Sequence, residues 1–266
     1  MNVESGQPIK LTHDGAVATI WLDRPDKRNA MSYAMWESLE EIALHVAADP
    51  EVRVVVVRGA GDHFCAGADI TELNVQRGVD QRSFAEVNLA AETALATIPK
   101  PTVAFISGDC IGGGCALAID CDLRVAISGA RFGITPARLG IVYPSASLER
   151  ATHLLGPAAT KRLLFTGDLI DTGEALRLGL VDEVVETATG EERLATLTGV
   201  LADRSLLTQA ATKAMVADVV TYGHVRPDVE RAWNQTAAAS GDGTEGIAAF
   251  VQKRTPRFTW SGHDGS

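Results

Sequence analysis

The sequence predicts an α/β fold, and three observations predict it. A nearly continuous β-branched run at 52–57 suits a parallel strand covered on both faces, an amphipathic helical period precedes it, and strand, helix and strand recur in that order after residue 102. Element by element, alternation over Val17–Leu22 (VATIWL) reads as a half-buried strand, closed by turn chemistry at 23–26 (DRPD). Ser32 is the N-cap of a predicted helix whose apolar positions Met35, Leu39, Ile42 and Val46 keep helical spacing until Asp49 and Pro50 stop it. Gly59 and Gly61 close the run at 52–57, so the first unit reads as a parallel crossover. A strand at 102–107, a helix over 115–120 after a glycine cluster and a strand at Leu123–Ile127 give the second unit. Beyond Gly156 and Pro157, helices are predicted at 158–166, 173–178, 191–203, 206–220, 228–239 and 244–253, with one short strand at 181–185. A division near residue 200 is expected, with an α/β core over 1–200, a helical region over 201–266, and a frayed end at 261–266.

Composition narrows the function. In 266 residues, 46% hydrophobic and 22% charged side chains support an ordinary buried core. A formal net charge of −10 repels nucleic-acid phosphates and anionic membranes, so a nucleic-acid partner is not expected and any anionic ligand needs a local Lys/Arg cluster. MNVESGQPIK lacks the apolar segment of a signal peptide and no later run is long enough to span a membrane; a cytoplasmic chain is expected. Cys65, Cys110, Cys115 and Cys121 show no CxxC metal spacing and read as reduced thiols, Cys115 and Cys121 as small buried residues.

The segment TVAFISGDCIGGGCAL at 102–117 supports three chemistries. Gly112 and Gly114 match the first two glycines of a dinucleotide fingerprint, but Leu117 stands where a third small residue belongs and the next strand ends without an acidic residue. GDCIG at 108–112 has the form of a nucleophile elbow with Cys110 as nucleophile, for which Asp171 and His224 follow in the required order. The third chemistry is an oxyanion hole, since glycines let backbone N–H groups at a helix start approach a developing charge. It gains from a second small-residue turn, HFCAGADI at 63–70, after the first buried strand and with a helix expected beyond it.

HFCAGADI at 63–70 and IGGGCALAIDCD at 111–122 together resemble the crotonase superfamily, the enoyl-CoA hydratase/isomerase group. Similar matches run through DRPDKRNAM at 23–31, FGITPARLG at 132–140, LFTG at 164–167, ALRLGLVDEVV at 175–185 and AFVQKRTPRF at 249–258, nearly the whole chain. The resemblance implies a spiral of ββα turns, a helical C-terminal region that assembles a homotrimer or dimer of trimers, and an acyl-CoA thioester as substrate. It implies no cofactor beyond the coenzyme A moiety of that substrate. It assigns the two N–H donors to Ala68 and Gly113, with Ala66, Asp69, Ile70 and Gly114 beside them. Lys27 and Arg28 fall where the family meets the CoA adenine and phosphates, and Phe250 and Lys253 where its C-terminal helix reaches CoA. Asp69 also reads as a helix cap, and Asp122 resembles a structural aspartate of the family.

Two family features are missing. Hydratases of the family place one glutamate two residues after GGG and another after FG; here Ala116 and Pro136 stand there, and neither side chain can move a proton. The substitute acids are Asp120, one helical turn past Ala116, Tyr143 in the loop after Gly140, and Glu149 in SLER at 147–150. The leading expectation is an acyl-CoA enzyme that works through a thioester enolate, with an unconventional acid or a reaction other than hydration. The alternatives are an acyl-CoA binding protein without catalysis and a cysteine hydrolase using Cys110.

Overall fold

The computed structural model describes residues 8–73, 75, 78 and 80–262. A strand that the alternation does not announce comes first: β1 (Ile9–Asp14) pairs antiparallel with β2 (Val17–Leu22) across Gly15. Ser32 caps α1 (Tyr33–Ala48) by accepting the Met35 N–H, and the predicted stripe, Met35, Leu39, Ile42 and Val46, is its buried face together with Trp36 and Ala43. The return strand β3 (Val54–Gly59) pairs parallel with β2, which makes the crossover unit.

Next come α2 (Phe84–Ala96), β4 (Thr102–Ile106), β5 (Asp109–Ile111), α3 (Gly113–Asp120), β6 (Leu123–Ile127) and β7 (Arg131–Gly133). Then follow α4 (Ser145–Thr166), α5 (Thr172–Leu178), β8 (Glu183–Val185) and α6 (Gly190–Asp203), and the chain continues through α7 (Leu206–Tyr222), α8 (Pro227–Ser240) and α9 (Asp242–Val251). The six-stranded sheet runs β1-β2-β3-β4-β6-β8, parallel throughout except for β1.

Both faces of that sheet are covered, which explains the unbroken apolar run. Val55 and Val57 of β3 face the main core with α1, α2 and α3, while Val54 and Val56 join Val103, Phe105, Val125 and Leu194 of α6 in a second core. β5 and β7 pair parallel in a separate ribbon, extended by bridges from Cys65 to Cys110 and from Phe132 to Ile170. Successive passes of the chain therefore lay Cys65, Cys110, Phe132 and Ile170 side by side, the first three arriving from β3, β4 and β6 of the large sheet and the fourth from α4. This is a spiral, and both glycine turns sit on its ribbon side.

Several expectations shift. No helix follows the 63–70 turn directly: 70–73 is turn, residues 74, 76, 77 and 79 lie outside the described residues, and α2 begins only at Phe84. The helix expected at 158–166 is the second half of α4, which bends at Gly156 (φ 76°) before Pro157 and begins already at Ser145. Residue 200, near which a division is expected, lies inside α6, and the next break between helices is at Arg204–Ser205. Part of the frayed end, 263–266, lies outside the described residues. Among the described residues no helix is long and apolar enough to cross a membrane.

Candidate active site

The first glycine turn is held by the segment at 23–31. Asn29, fully buried, gives its amide hydrogens to the carbonyls of Ala60 and His63 and accepts the Arg24 N–H, which pins the strand exit to the turn. The Ala66 N–H donates to Arg28 O, the Met31 N–H to Gly67 O and the Asp69 N–H to Met31 O, at 2.9, 2.8 and 2.8 Å. That last pair forms a parallel bridge between Met31 and Ala68. In such a bridge the flanking residues use the pairing side, so the N–H of Ala68 itself points the other way.

The second turn lies beside it. Ile111 N–H donates to Cys65 O and Gly112 N–H to Gly133 O, which locks the segment ahead of α3 into the ribbon. Gly112 takes φ 56° and ψ −114° as the N-cap and Gly67 takes φ 104°, conformations that L side chains rarely adopt. Gly113 is the first residue of α3, where an N–H has no partner within the helix. A Cβ built on Gly113 would lie 3.4 Å from the Ala68 nitrogen and 3.5 Å from Cζ2 of the buried Trp36. Neither the Ala68 nor the Gly113 N–H donates to another group among the described residues, and the two turns meet at the positive end of α3. Trp36, beside Gly113, carries no motif and reads from sequence only as core.

The predicted acids separate into two groups. Glu149 is exposed on α4. Asp120 and Tyr143 are turned inward: the Asp120 carboxylate oxygens and the Tyr143 hydroxyl are buried with no hydrogen-bond partner among the described residues. Burial, reinforced by the charge of Glu92, raises the Asp120 carboxyl well above the usual carboxylate range despite Arg150. Burial likewise raises the Tyr143 phenol well above its ordinary value, with Glu92, Cys115 and Asp120 adding repulsion. Ala116, between Gly113 and Asp120 on the same helix, is buried, and Pro136 opens the short turn Pro136–Arg138.

The Asp120 shift carries a pH signature. The folded chain holds this proton more tightly than the unfolded one, so its contribution is whole below the unfolded carboxyl pKa of about 4 and is lost as pH rises through the folded value. Urea unfolding of Asp120→Asn should therefore show a shallower loss of stability than wild type between mildly acid and mildly alkaline pH, by about 1.4 kcal/mol for each pH unit of displacement. Parallel pH profiles for the two proteins would remove the assignment.

The residues matched to CoA contacts lie at several places. Lys27 and Arg28 are exposed beside the first turn, and Arg28 reaches back to the buried carboxylate of Asp109 at 3.2 Å, which Arg131 (2.7 Å) and His63 (3.4 Å) also approach. Asp69 does not cap a helix. Its carboxylate accepts the Thr71 N–H and hydroxyl and pairs with Arg24 at 2.9 Å. Ala66 is partly buried and Ile70 exposed. Gly114 packs against Cys65. Phe250, near the end of α9, is 86% exposed, and Lys253 follows it with φ 53°. Asp122 accepts the Thr102 N–H and hydroxyl and pairs with Lys213, ties that hold α7 to the start of β4.

The cysteine constellation does not assemble. Cys110 is fully buried, with its thiol held protonated by that burial, and its sulfur is 3.9 Å from Cys115 Sγ. Asp171 caps α5 by accepting the Glu174 N–H, and His224 is exposed with its ring at Tyr222 O. A nucleophile needs an adjacent base, and neither residue is one.

Residues 12–261 match the enoyl-CoA hydratase/isomerase family. The chain belongs to that family. It is 31% identical over 257 residues to a crotonyl-CoA hydratase of Syntrophomonas wolfei, covering 94% of this chain and 97% of that one. A short-chain-enoyl-CoA hydratase of Clostridium acetobutylicum is 36% identical over 179 residues, 67% of this chain and 69% of its own. Among solved structures, an enoyl-CoA hydratase/carnithine racemase from Magnetospirillum magneticum superposes with a TM-score of 0.90 at 33% identity, covering 96% of both chains. The crotonase fold that the sequence resemblance implied is the fold of this family member. Within it, Glu92, Ser147 and Arg150 gather around Asp120, a cluster that sequence reading missed because its members sit on three different helices.

Proposed function

We propose that this chain is an acyl-CoA enzyme that grips a thioester carbonyl oxygen between the N–H groups of Ala68 and Gly113 and stabilises the enolate that forms there. The observation that carries the reading is the closeness of two unspent donors on turns tied to each other by the Cys65–Ile111 hydrogen bond. An enolate places its charge on the thioester oxygen, and fixed donors stabilise that charge without reorganising. The printed names of the relatives, crotonyl-CoA hydratase and short-chain-enoyl-CoA hydratase, support the same substrate class.

The acids decide the direction of proton transfer. Asp120 and Tyr143 are both kept protonated by burial, so they suit giving a proton to an α-carbon and not taking one. With Ala116 and Pro136 in place of glutamates, water has no carboxylate base at either usual position. The reading is therefore of a reaction in which the enolate arises by addition or bond cleavage within the acyl group and is then protonated. Lys27, Arg28, Phe250 and Lys253 would meet the CoA portion, in a homotrimer or dimer of trimers working in the cytoplasm.

Saturated, unsaturated and β-substituted acyl-CoAs, titrated by calorimetry and followed by mass spectrometry, test this. Expected are binding of thioesters and crotonyl-CoA hydration slower by about a hundredfold or more than in glutamate-bearing relatives, the usual loss when general acid–base groups are missing. Brisk hydration of crotonyl-CoA would overturn the role given to Ala116 and Pro136, and failure to bind any thioester would overturn the whole reading. Binding with no turnover of any thioester would favour a binding protein, a reading that the absence of carboxylates at 116 and 136 supports.

A further inference from the structure

Behind α3, away from the glycine turns in sequence, three helices bring together more charge than a buried site tolerates unpaired. α2 supplies Glu92, 2% exposed; α3 supplies Asp120 at its last turn; α4 supplies Arg150, which enters between them. The Arg150 Nη1 is 3.0 Å from Asp120 Oδ1 and 3.5 Å from Glu92 Oε2. Facing the same space are Asn88 of α2, Ser147 of α4, the Tyr143 hydroxyl from the preceding loop, and the thiols of Cys110, Cys115 and Cys121 from β5 and α3. No other cation approaches Asp120 or Glu92 among the described residues.

Two carboxylates and one guanidinium leave one negative charge in excess if both acids ionise, and like charges in a dry site resist that. One proton is therefore retained by the pair, and the hydrogen bonds tell which acid holds it. Glu92 accepts from Asn88 Nδ2 at 2.9 Å and from Ser147 Oγ at 2.7 Å, so its ion is solvated by the protein. Asp120 has Arg150 Nη1 3.0 Å from Oδ1 as an ion pair but accepts no aligned hydrogen bond at either oxygen. The better-solvated ion is therefore Glu92 and the proton is placed on Asp120, with Arg150 compensating the pair as a whole.

We propose that Glu92, its ion solvated by Asn88 and Ser147, is a positioning residue that keeps the shared proton on Asp120 against the pull of Arg150, one helical turn from Ala116, so that a neutral carboxylic acid stands near the site from which the family's glutamate is missing. This rests on the reading above only for its use by the reaction; the proton's location does not depend on substrate. Burial raises both carboxyls, Asn88 and Ser147 draw Glu92 back toward its ion, and the charge of Glu92 raises Asp120 further. In use, the Tyr143 O–H bond would break as its proton passes to the enolate carbon, the Asp120 proton would move to the phenolate so formed, and solvent would return one proton to the acid pair. Glu92 and Arg150 would exchange no proton with substrate.

Infrared spectroscopy of the protein with 13C-labelled aspartate tests it without substrate. Expected is a protonated-carboxyl band in the neutral range that is absent in Asp120→Asn. In Glu92→Gln, which keeps the shape and removes the charge, that band should titrate at least about one pH unit lower, because the repulsion that held the proton is gone. Should Glu92→Gln fold poorly, Ser147→Ala strips one donor from Glu92, and part of the band should then pass from labelled aspartate to a glutamate. No band in wild type, a band that survives Asp120→Asn, or a titration unmoved by both variants would overturn the proposal. Acyl-CoA calorimetry on the same samples keeps the two readings apart: titration as expected with no thioester binding would sink the function and leave the acid pair, and binding with an unmoved titration would do the reverse.

Discussion

Gly113→Ala is expected to leave the fold intact and to cost the enzyme about a hundred- to a thousandfold in kcat/KM, the usual price of disabling one oxyanion donor. The added methyl meets Ala68 N at 3.4 Å and Trp36 Cζ2 at 3.5 Å, ordinary contact distances that demand no shift. Gly113 does not need a left-handed backbone, and alanine is the better helix former. The methyl nonetheless lies against the Ala68 nitrogen, where the proposed oxyanion would be held. Thermal unfolding should be unchanged or slightly raised while turnover and thioester affinity fall together. Full activity in Gly113→Ala would mean that the oxygen binds elsewhere.

One residue further on, the same substitution should have the opposite character. In Gly114→Ala the new Cβ would fall inside contact distance of the Cys65 carbonyl oxygen and 2.9 Å from Cys65 Cβ. These are backbone and fully buried neighbours, and the carbonyl in question accepts the Ile111 N–H that joins the two turns. Overpacking with loss of that hydrogen bond should destabilise the chain by about 3 kcal/mol or more, visible as a lowered Tm or as insoluble protein. A Gly114→Ala protein as stable as wild type would show that the turns are less tightly joined than the hydrogen bonds indicate. The contrast separates a glycine that serves the ligand from one that serves the scaffold.

Local pattern made some of this legible and not the rest. α1 and β3 were readable because their apolar positions repeat with the period of one element buried against one core. The glycine turns were readable because each is set by its own short contiguous run of small residues. β5 and β7 are three residues each, too short to show a period, and they exist because of each other. α2 was missed because its buried face includes the charged Glu92, which looks like a solvent residue until Asn88, Ser147 and Arg150 are seen around it. Asp120 was found through its spacing from Ala116, whereas the partners that set its proton lie on helices remote in sequence, so no motif could contain them. Tyr143 drew attention as a loop residue; its buried hydroxyl is a property of the packing alone.

The row Cys65, Cys110, Phe132 and Ile170 has a consequence for the order of events during synthesis. A nascent chain that has emerged only through α3 already carries both donor residues, yet it lacks Gly133, whose carbonyl receives the Gly112 N–H, and Ile170, which closes the ribbon beyond Phe132. The donors can take their final spacing only after the chain has passed the ribbon twice more. On the proposed reading, unfinished or truncated copies would be unable to hold a reactive thioester enolate, and competence to bind it would arrive with completion of the spiral.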